Sequence, residues 1–438
     1  MVSDSPFRHD IFRHDISDCL AANIGAGGLS DGAYEGVLAE AEAVLEGLRN
    51  HQDQELAALF GLPAREDDLA ALETVANRYR ERFDDVVVLG AGGSSLGGQT
   101  LVALAPAVGP PRLHFMDNID PGHFEALLKR LDPARTGYLA ISKSGTTAET
   151  LAQTLICMAA APGAVADRFT AIVEPGTSPL RRLAEHHGMA LLDHDPHISG
   201  RFSVLSVTGL LPGLIAGLEG RALRAGARVV LEAAFAAPRA AACAPAAAAA
   251  VAVGLQREQG VGTTVLMPYA EALGPFAKWF RQLWAESLGK AGHGTTPAAA
   301  MGVTDQHSQL QLYLDGPRDK LFTLITVARD GAGPVIPEGS SDDPELAYLE
   351  GHRLGDLMAA EQRATADSLA SGGLPLRRIE LDGLDERALG GLLMHFMLET
   401  IIAAGLMGVD PFGQPAVEQG KQRARDYLAA SKPTDGKT

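Results

Sequence analysis

Short apolar runs that end in glycine or polar turns recur along this chain, and they constrain its fold more than any other feature. The first run, Asp85-Val-Val-Val-Leu89, leads directly into glycines, as a strand buried on both faces of a parallel sheet does. Helical stretches separate the runs, and this alternation is typical of βαβ units. The predicted strands form two series, residues 85–89, 113–116, 138–141 and 170–173 and then residues 264–267, 321–327 and 376–381.

The two series predict an α/β protein with two α/β/α sandwich domains, mainly parallel sheets, and helical segments at both ends. A length of 438 residues leaves room for two or three domains of about 150 residues each. We expect a helical N-terminal segment, a first α/β domain, a second α/β domain and a flexible tail, at residues 1–60, 61–215, 216–430 and 431–438.

Three stretches fall outside the strand pattern. Residues 240–255 are the longest apolar run, and they fall short of the ~20 residues of a membrane span. The alanine- and proline-rich segment at about residues 232–250 predicts a helix, since alanine has the highest helix propensity, and a linker is the alternative. Residues 331–343, with their Gly, Pro and Ser, predict an exposed loop. The N-terminus carries a tandem repeat, which we interpret as a local duplication in a flexible or helical lead-in. Its two copies are Phe7-Arg-His-Asp-Ile11 and Phe12-Arg-His-Asp-Ile16.

Charge and cysteine content narrow the class of protein. A formal net charge of −17 disfavours a nucleic-acid partner, since a phosphate backbone attracts basic surfaces. A local pocket can still bind a small anion. Cys19, Cys157 and Cys243 are too few and too scattered for a disulfide framework or a zinc ribbon, which favours a reducing compartment. Because the N-terminus also lacks the pattern of a secretory signal, we expect a cytoplasmic protein with no membrane partner.

A glycine-rich turn, Gly90-Ala-Gly-Gly-Ser-Ser-Leu-Gly-Gly98, follows the first predicted strand. A dinucleotide fingerprint would require its third glycine at Ser95, and a P-loop would require a following Gly-Lys-Ser/Thr, so neither motif is present. The turn still places Ser94 at the start of a helix, where free N–H groups can meet an oxygen-rich ligand. A tight turn without a ligand is the structural alternative.

A second turn, within Tyr138-Leu-Ala-Ile-Ser-Lys-Ser-Gly-Thr-Thr-Ala-Glu-Thr150, again joins a strand to a helix. Thr146 and Glu149 have the spacing of a capping box, but a cap needs only one hydroxyl and one acid. A phosphate monoester suits a hydroxyl-rich turn at a helix N-terminus better. The four hydroxyls and one amine around Gly145 belong to Ser142, Ser144, Thr146, Thr147 and Lys143.

Six segments in one order resemble the sugar isomerase (SIS) fold family and, more specifically, the phosphoglucose isomerases. The resemblance extends over about residues 60 to 430, and six ordered matches are more specific than any single motif. The segments are Gly92-Gly-Ser-Ser-Leu-Gly97, Ser142-Lys-Ser-Gly-Thr-Thr-x-Glu-Thr150, Gly200-Arg-Phe-Ser-Val-Leu-Ser206, Gln282-Leu-x-x-Glu-Ser-x-Gly-Lys290, Asp305-Gln-His-Ser308 and Asp410-Pro-Phe-Gly-Gln-Pro-Ala-Val-Glu-x-Gly-Lys421. The last segment departs from the family at Asp410, Gly413 and Ala416, where many relatives have asparagine, aspartate and glycine.

The resemblance implies a fold of two SIS-type domains and a reversible isomerisation of glucose 6-phosphate and fructose 6-phosphate, in glycolysis and gluconeogenesis. One carboxylate moves the proton through a cis-enediol, with no metal and no cofactor. By resemblance that base is Glu286, and Arg201 stabilises the developing negative charge. His307 and Lys421 serve ring opening. The implied substrate contacts are Gly93, Ser94, Ser142, Lys143, Ser144, Thr147, Gln282 and Gln414.

The resemblance also implies a two-fold homodimer with shared active sites, in which His307 reaches into the partner's site. Each catalytic residue has a simpler reading when it is taken alone: a solvated helical glutamate, a surface salt bridge, a packed histidine or a surface lysine. Two other functions stay open, an isomerase that also acts on mannose 6-phosphate and a regulator that binds sugar phosphates without turnover. The cluster Asp193-His-Asp-Pro-His197 has metal-ligand residue types, but we interpret it as a polar loop.

Overall fold

The computed structural model describes residues 7–8, 10–106, 109, 111–161 and 163–431. The strands are β1 (Phe7–Arg8), β2 (Arg13–Asp15), β3 (Asp85–Leu89), β4 (Arg112–Met116), β5 (Thr136–Ile141), β6 (Phe169–Val173), β7 (Ala190–Asp193), β8 (Thr263–Pro268), β9 (Thr296–Ala299), β10 (Lys320–Val327) and β11 (Leu376–Leu381). Every strand predicted from the two apolar series is confirmed. The short strands β7 and β9 were not predicted.

The helices surround these strands in chain order. They are α1 (Ala21–Ile24), α2 (Asp31–Arg49), α3 (Gln54–Gly61), α4 (Leu69–Arg82), α5 (Gly93–Val102), α6 (Pro121–Arg130), α7 (Ala148–Ala160), α8 (Pro179–His187), α9 (Val207–Ile215), α10 (Gly220–Ala236), α11 (Ala244–Gln259), α12 (Gly274–Leu288), α13 (Thr304–Asp315), α14 (Leu354–Ser371), α15 (Glu386–Met407) and α16 (Glu418–Ala430).

The first sheet is fully parallel, with strand order β4-β3-β5-β6-β7. Its strands β3, β5 and β6 are buried at every position, so helices cover both faces of the sheet. The chain runs from β3 outward to β4 and then returns to β5 on the other side of β3. In an open α/β sheet such a reversal creates a crevice at the carboxyl ends of the two strands, where ligands bind.

The second sheet has the order β1-β2-β11-β10-β8-β9. Strands β8 to β11 are parallel, and β1 and β2 add an antiparallel edge. Together the two sheets confirm the predicted α/β fold with mainly parallel strands. The predicted domain boundary falls between α9, which packs on α5, and α10, which packs on α15. The division into separate domains stays a prediction.

The prediction of a flexible or helical lead-in at the N-terminal repeat was wrong. The second copy forms β2, which pairs antiparallel with β11 through His14 and Ile379. Phe12, His14 and Ile16 are buried, whereas the intervening Arg13 and Asp15 are only partly buried. This alternation with a period of two is the pattern of a half-buried strand, and it explains why the repeat joins a sheet.

The alanine-rich segment at residues 232–250 is mostly helical, as predicted, but it is not one helix. Helix α10 ends at Ala236, and α11 begins at Ala244 and is buried from there to Leu255. Residues 331–343 form a mostly exposed loop without a named helix or strand. Within the described part of the chain, only α15 is long and apolar enough to cross a membrane. Because 94% of its apolar window is buried inside the protein, α15 is a core helix, packed against α10 and α11.

Candidate active site

The two sequence turns lie together at the crevice of the first sheet. The glycine turn follows β3, and its Gly92, just before α5, has a φ of 56°, a conformation that favours glycine. A Cβ on Gly93 would lie 2.3 Å from the carbonyl carbon of Gly200, so only glycine allows this approach. The start of α5, with Ser94 partly exposed, is therefore packed directly against the segment that carries Arg201.

The hydroxyl-rich turn follows β5 and is braced by its own side chains. Ser142 Oγ lies 2.9 Å from Thr147 Oγ1 and accepts from the backbone N–H of Gly145 at 3.1 Å. Ser144 Oγ and Thr146 Oγ1 are 2.9 Å apart. Thr147 is the N-cap residue of α7, and its side chain caps no helix N–H, so the capping-box alternative is not formed. The exposed start of α7 is thus suited to an anion.

Lys143 lies beside this turn, with its amine engaged by the protein. Its Nζ donates to the carbonyl oxygen of Pro196 at 2.8 Å and lies 3.4 Å from Glu174 Oε1. The backbone around it is also fixed, because the N–H of Glu174 donates to the carbonyl of Lys143 at 3.0 Å. A direct bond from Lys143 to a phosphate stays a prediction.

Helix α12 presents Gln282 and Glu286 one turn apart, as their spacing of four residues requires. Both carboxylate oxygens of Glu286 are bound: Oε1 accepts from Gln282 Nε2 at 2.9 Å and Oε2 accepts from Arg201 Nη1 at 2.9 Å. The side chain of Glu286 is 31% exposed, whereas that of Arg201 is 2% exposed. Gln282 and Arg201 therefore hold the Glu286 carboxylate in one orientation, while part of the side chain stays exposed.

Arg201 lies in the short 3-10 helix Gly200–Leu205, and all its donor nitrogens have acceptors. Nε donates to Ser287 Oγ at 3.0 Å, and Nη1 donates to Gln414 Oε1 at 3.3 Å as well as to Glu286. Trp279 Nε1 donates to the backbone carbonyl oxygen of Arg201 at 3.1 Å. Burial lowers the pKa of Arg201 and the charge of Glu286 opposes that, yet an arginine stays protonated in either case.

The closing segment completes the enclosure of this guanidinium. Nη2 donates to the carbonyl oxygens of Pro411, Phe412 and Gly413 at 3.0, 2.6 and 3.0 Å. Lys290 Nζ donates to the carbonyl oxygen of Asp410, and burial together with the charge of Arg201 lowers the pKa of Lys290. The sequence did not assign roles to Ser287, Lys290 or Asp410. Ser287 and Lys290 stand inside the glutamate motif, which was the available signal, but a backbone carbonyl leaves no signal in a sequence.

The other two predicted catalytic residues are exposed on helices α13 and α16. His307 is exposed near the start of α13, and no hydrogen bond or ion pair within the described ranges joins it to Glu286 or Arg201. Lys421 is exposed on α16. One turn further along α16, Arg425 Nη2 donates to the carbonyl of Thr146 at 3.3 Å, so this helix lies against the hydroxyl-rich turn.

Two aspartates of the cluster at residues 193–197 form ion pairs with arginines. Asp193 pairs with Arg181 at 2.8 Å, and Asp195 lies 3.5 Å from Arg65. Burial lowers the pKa of His194 to about 4. Within the part of the chain that the structure describes, no group of three or more His, Cys, Asp or Glu side chains is arranged to hold a metal.

These elements define a class of enzyme before any comparison. A parallel α/β sheet offers a hydroxyl-rich helix start at its crevice, and a buried arginine holds a partly exposed glutamate. That arrangement suits proton transfer on a small phosphorylated substrate.

Comparison with known proteins identifies the family. The phosphoglucose isomerase family model matches residues 76–306. The chain is 43% identical over 375 residues to a probable glucose-6-phosphate isomerase of Natronomonas pharaonis, covering 85% of this chain and 84% of that protein. It is 39% identical over 375 residues to a glucose-6-phosphate isomerase of Rubrobacter xylanophilus, covering 82% and 86%. A crystal structure of a hypothetical protein from Thermus thermophilus superposes with a TM-score of 0.84 at 33% identity, covering 96% and 100%. The chain belongs to the phosphoglucose isomerase family.

Proposed function

We propose that this enzyme interconverts glucose 6-phosphate and fructose 6-phosphate, with Glu286 as the base that moves the proton between C1 and C2. The observation that carries the proposal is the ion pair of Arg201 and Glu286, in which Arg201 Nη1 lies 2.9 Å from Glu286 Oε2. Family membership supports the reaction, and this pair supports the assignment of its chemical step.

Phosphate binding comes first. Ser142, Ser144 and Thr147, with the N–H groups at the start of α7, hold the phosphate, while Gly93, Ser94 and Gln414 line the way to Glu286. Because the phosphate is remote from the reacting carbons, its binding energy serves to fix those carbons against the carboxylate. Lys143 adds positive charge near this turn, although its amine donates to the carbonyl oxygen of Pro196.

The proton transfer uses both members of the pair. In the open-chain aldose, the Glu286 carboxylate removes the proton from C2, and the electron pair moves onto the C1 oxygen. Arg201, held in place by burial, stabilises the enediolate charge as it forms. The carboxylic acid then returns the proton to C1, while the hydroxyl proton passes from O2 to O1. Gln282 keeps the other carboxylate oxygen oriented throughout.

Ring opening requires an acid on the ring oxygen and a base on the anomeric hydroxyl. We assign these roles to His307 and Lys421. The intrinsic pKa of histidine suits proton exchange near neutrality. Since His307 lies exposed and apart from Glu286 in one chain, we propose a two-fold homodimer in which each His307 serves the partner's site. Apolar side chains exposed on α13 and α16 support such contacts: Leu312, Tyr427 and Leu428.

A coupled assay tests the reaction. Fructose 6-phosphate is supplied with an NADP-dependent glucose-6-phosphate dehydrogenase, and the chelator EDTA is present throughout. Activity should survive the chelator, because a carboxylate and not a metal moves the proton. Loss of activity that zinc, iron or manganese restores would refute this mechanism. Turnover of mannose 6-phosphate would widen the substrate range, whereas binding without turnover would indicate a regulator. We expect the enzyme to act in the cytoplasm on sugar phosphates alone.

The base is tested by Glu286→Gln, which keeps the shape but removes the basicity. Turnover should fall by about 10²- to 10⁴-fold while sugar-phosphate binding survives. Glu125→Gln is the control, since Glu125 pairs with Lys129 on the surface of α6. Near-normal turnover of Glu286→Gln would place the base elsewhere.

Subunit mixing tests the shared site. Glu286→Gln and His307→Ala homodimers, each first shown to be nearly inactive, are mixed, dissociated and allowed to pair again. In a mixed dimer, one site then collects both defects and the other collects neither. Random pairing makes about half the dimers mixed, so activity should return to about one quarter of wild type. Subunit exchange without recovery would mean that His307 serves its own chain.

A further inference from the structure

The turn of residues 410–413 encloses the guanidinium of Arg201 and brings several carbonyl groups close together. Three backbone carbonyls, those of Pro411, Phe412 and Gly413, point at the single Nη2 atom of Arg201 at 3.0, 2.6 and 3.0 Å. Their dipoles repel one another when they converge, so an unbraced backbone would turn some of them away toward water. Something must hold these peptide groups in one orientation, with or without a substrate.

Asp410 supplies that hold. One of its carboxylate oxygens accepts from the backbone N–H of Phe412 and the other from that of Gly413, both at 2.8 Å. In a planar trans peptide the N–H and the C=O point in opposite directions. Fixing the N–H groups of Phe412 and Gly413 toward Asp410 therefore directs the carbonyls of Pro411 and Phe412 toward the opposite side, where Arg201 lies.

Two neighbours adapt the turn to this use of Asp410. A Cβ on Gly413 would lie 2.7 Å from Asp410 Oδ2, so the missing side chain at 413 lets the carboxylate reach its second N–H. Lys290, just beyond the helix that carries Glu286, donates to the carbonyl oxygen of Asp410 and fixes where the turn begins.

We propose that Asp410 is a positioning residue for the isomerisation, one that orients the carbonyls holding Arg201 and that depends on glycine at 413. Asp410 contacts neither base nor substrate; it acts through Arg201. The inference rests on the proposed function, because the oriented arginine matters for the enediolate charge. Loss of Asp410 should lower kcat and leave KM for fructose 6-phosphate nearly unchanged, since the phosphate turn is intact.

The first test compares Asp410→Ala with Asp410→Asn. The alanine variant loses both acceptors, and kcat should fall by about 10- to 100-fold, less than for the loss of a direct oxyanion donor. The asparagine variant keeps one acceptor and should recover most of that loss. Asp132→Ala is the matched control, because Asp132 also accepts a backbone N–H, that of Ala134 at 2.8 Å, but lies before β5 at the opposite edge of the sheet. Its kcat should stay within about twofold of wild type.

Inhibitor binding separates positioning from general damage. A sugar-phosphate hydroxamate carries enediolate-like charge and should lose affinity in Asp410→Ala by about the factor lost in kcat. Sorbitol 6-phosphate, which carries the phosphate but no such charge, should bind as it does to wild type. Equal losses for both inhibitors, or kcat within about twofold of wild type, would overturn the inference. An inactive wild-type enzyme would instead refute the proposed function.

The dependence on Gly413 is tested by a double-mutant cycle. Gly413→Asp adds a Cβ and a second carboxylate beside Asp410, and it should lower kcat on its own. In Asp410→Asn/Gly413→Asp the repulsion between like charges is gone, and one carboxylate remains at the turn. Its kcat should exceed the product of the two single effects by at least about fivefold, which is the mark of coupled residues. Simple multiplication of the two effects would overturn the coupling.

Discussion

Arg201→Lys is the substitution with the sharpest expected signature, because it keeps a positive charge and removes the geometry. The guanidinium donates in three directions, to Ser287 from Nε, to Glu286 and Gln414 from Nη1, and to the carbonyls of residues 411–413 from Nη2. A lysine has three donors on one nitrogen and cannot reach acceptors on all these sides. At least two buried acceptors therefore lose their partner.

The expected size follows from these contacts. Each buried acceptor left without a donor costs about 1–3 kcal/mol, so the free energy of unfolding should fall by roughly 2–5 kcal/mol. The cation that faces the enediolate is also displaced, and kcat should fall by about 10²-fold or more. KM for fructose 6-phosphate should change by less than about threefold, because the hydroxyl-rich turn is untouched and only transition-state binding is lost.

Urea unfolding gives the stability and the coupled assay gives kcat and KM. Arg377→Lys is the matched control, since Arg377 is also fully buried, donates to Glu399 at 2.7 Å and to Thr323 at 2.6 Å, and lies in the second sheet. It should lose stability and keep kcat within about twofold. If Arg201→Lys keeps kcat within about threefold of wild type, or if the control loses as much kcat, the electrostatic role of Arg201 is refuted.

Three further outcomes are expected. Ser144→Ala and Thr147→Ala should each raise KM for fructose 6-phosphate with little change in kcat, and unchanged affinity in both would place the phosphate outside this turn. Phe12→Ala should lower the free energy of unfolding by about 3–5 kcal/mol, because Phe12 is 3% exposed and packs on His395; a loss under ~1 kcal/mol in urea unfolding would mean that the N-terminal strand contributes little. Burial acts to raise the pKa of Asp85, but hydrogen bonds from Arg112 and His114 outweigh it and hold that pKa below its ordinary value. Asp85 thus contributes stability above about pH 4 that is lost as the pH falls further, so Asp85→Asn should flatten the acid limb of stability against pH, and an unchanged limb would contradict this.

The sequence predicted the elements whose signal is local. Runs such as residues 85–89 and 138–141 are apolar at nearly every position and end in turns, which is the sequence pattern of a strand buried on both faces. Strands β7 and β9 were missed because they are edge strands with no fully buried position, and β9 contains Pro297, which is unusual in a strand. The structure of the N-terminal repeat was predicted wrongly because its period of two extends over only a few residues. So short a pattern did not outweigh the polar residues between Phe12 and Ile16.

The same distinction between local and long-range sequence signals applies to the candidate site. Glu286, Arg201 and the hydroxyls of the second turn could be predicted because they are side chains inside recognisable segments. The contacts that orient them could not. Arg201 and the carbonyl of Pro411 are 210 residues apart, and the acceptor is a backbone atom that any residue type would supply. Only the folded chain shows that the closing segment acts on the arginine mainly through its main chain.

The contrast in exposure between the two central side chains explains why a buried arginine suits this chemistry. A base that is 31% exposed can receive a substrate, but an equally exposed cation would be screened by water. Arg201 is 2% exposed, so in the proposed mechanism its field at the enediolate would be little weakened by mobile solvent. Glu286 and the backbone carbonyl dipoles both compensate the desolvation of Arg201. The carbonyls carry no net charge and cannot be titrated. The carbonyls thus hold the cation without neutralising it, and a second carboxylate in their place would cancel the charge that the transition state requires.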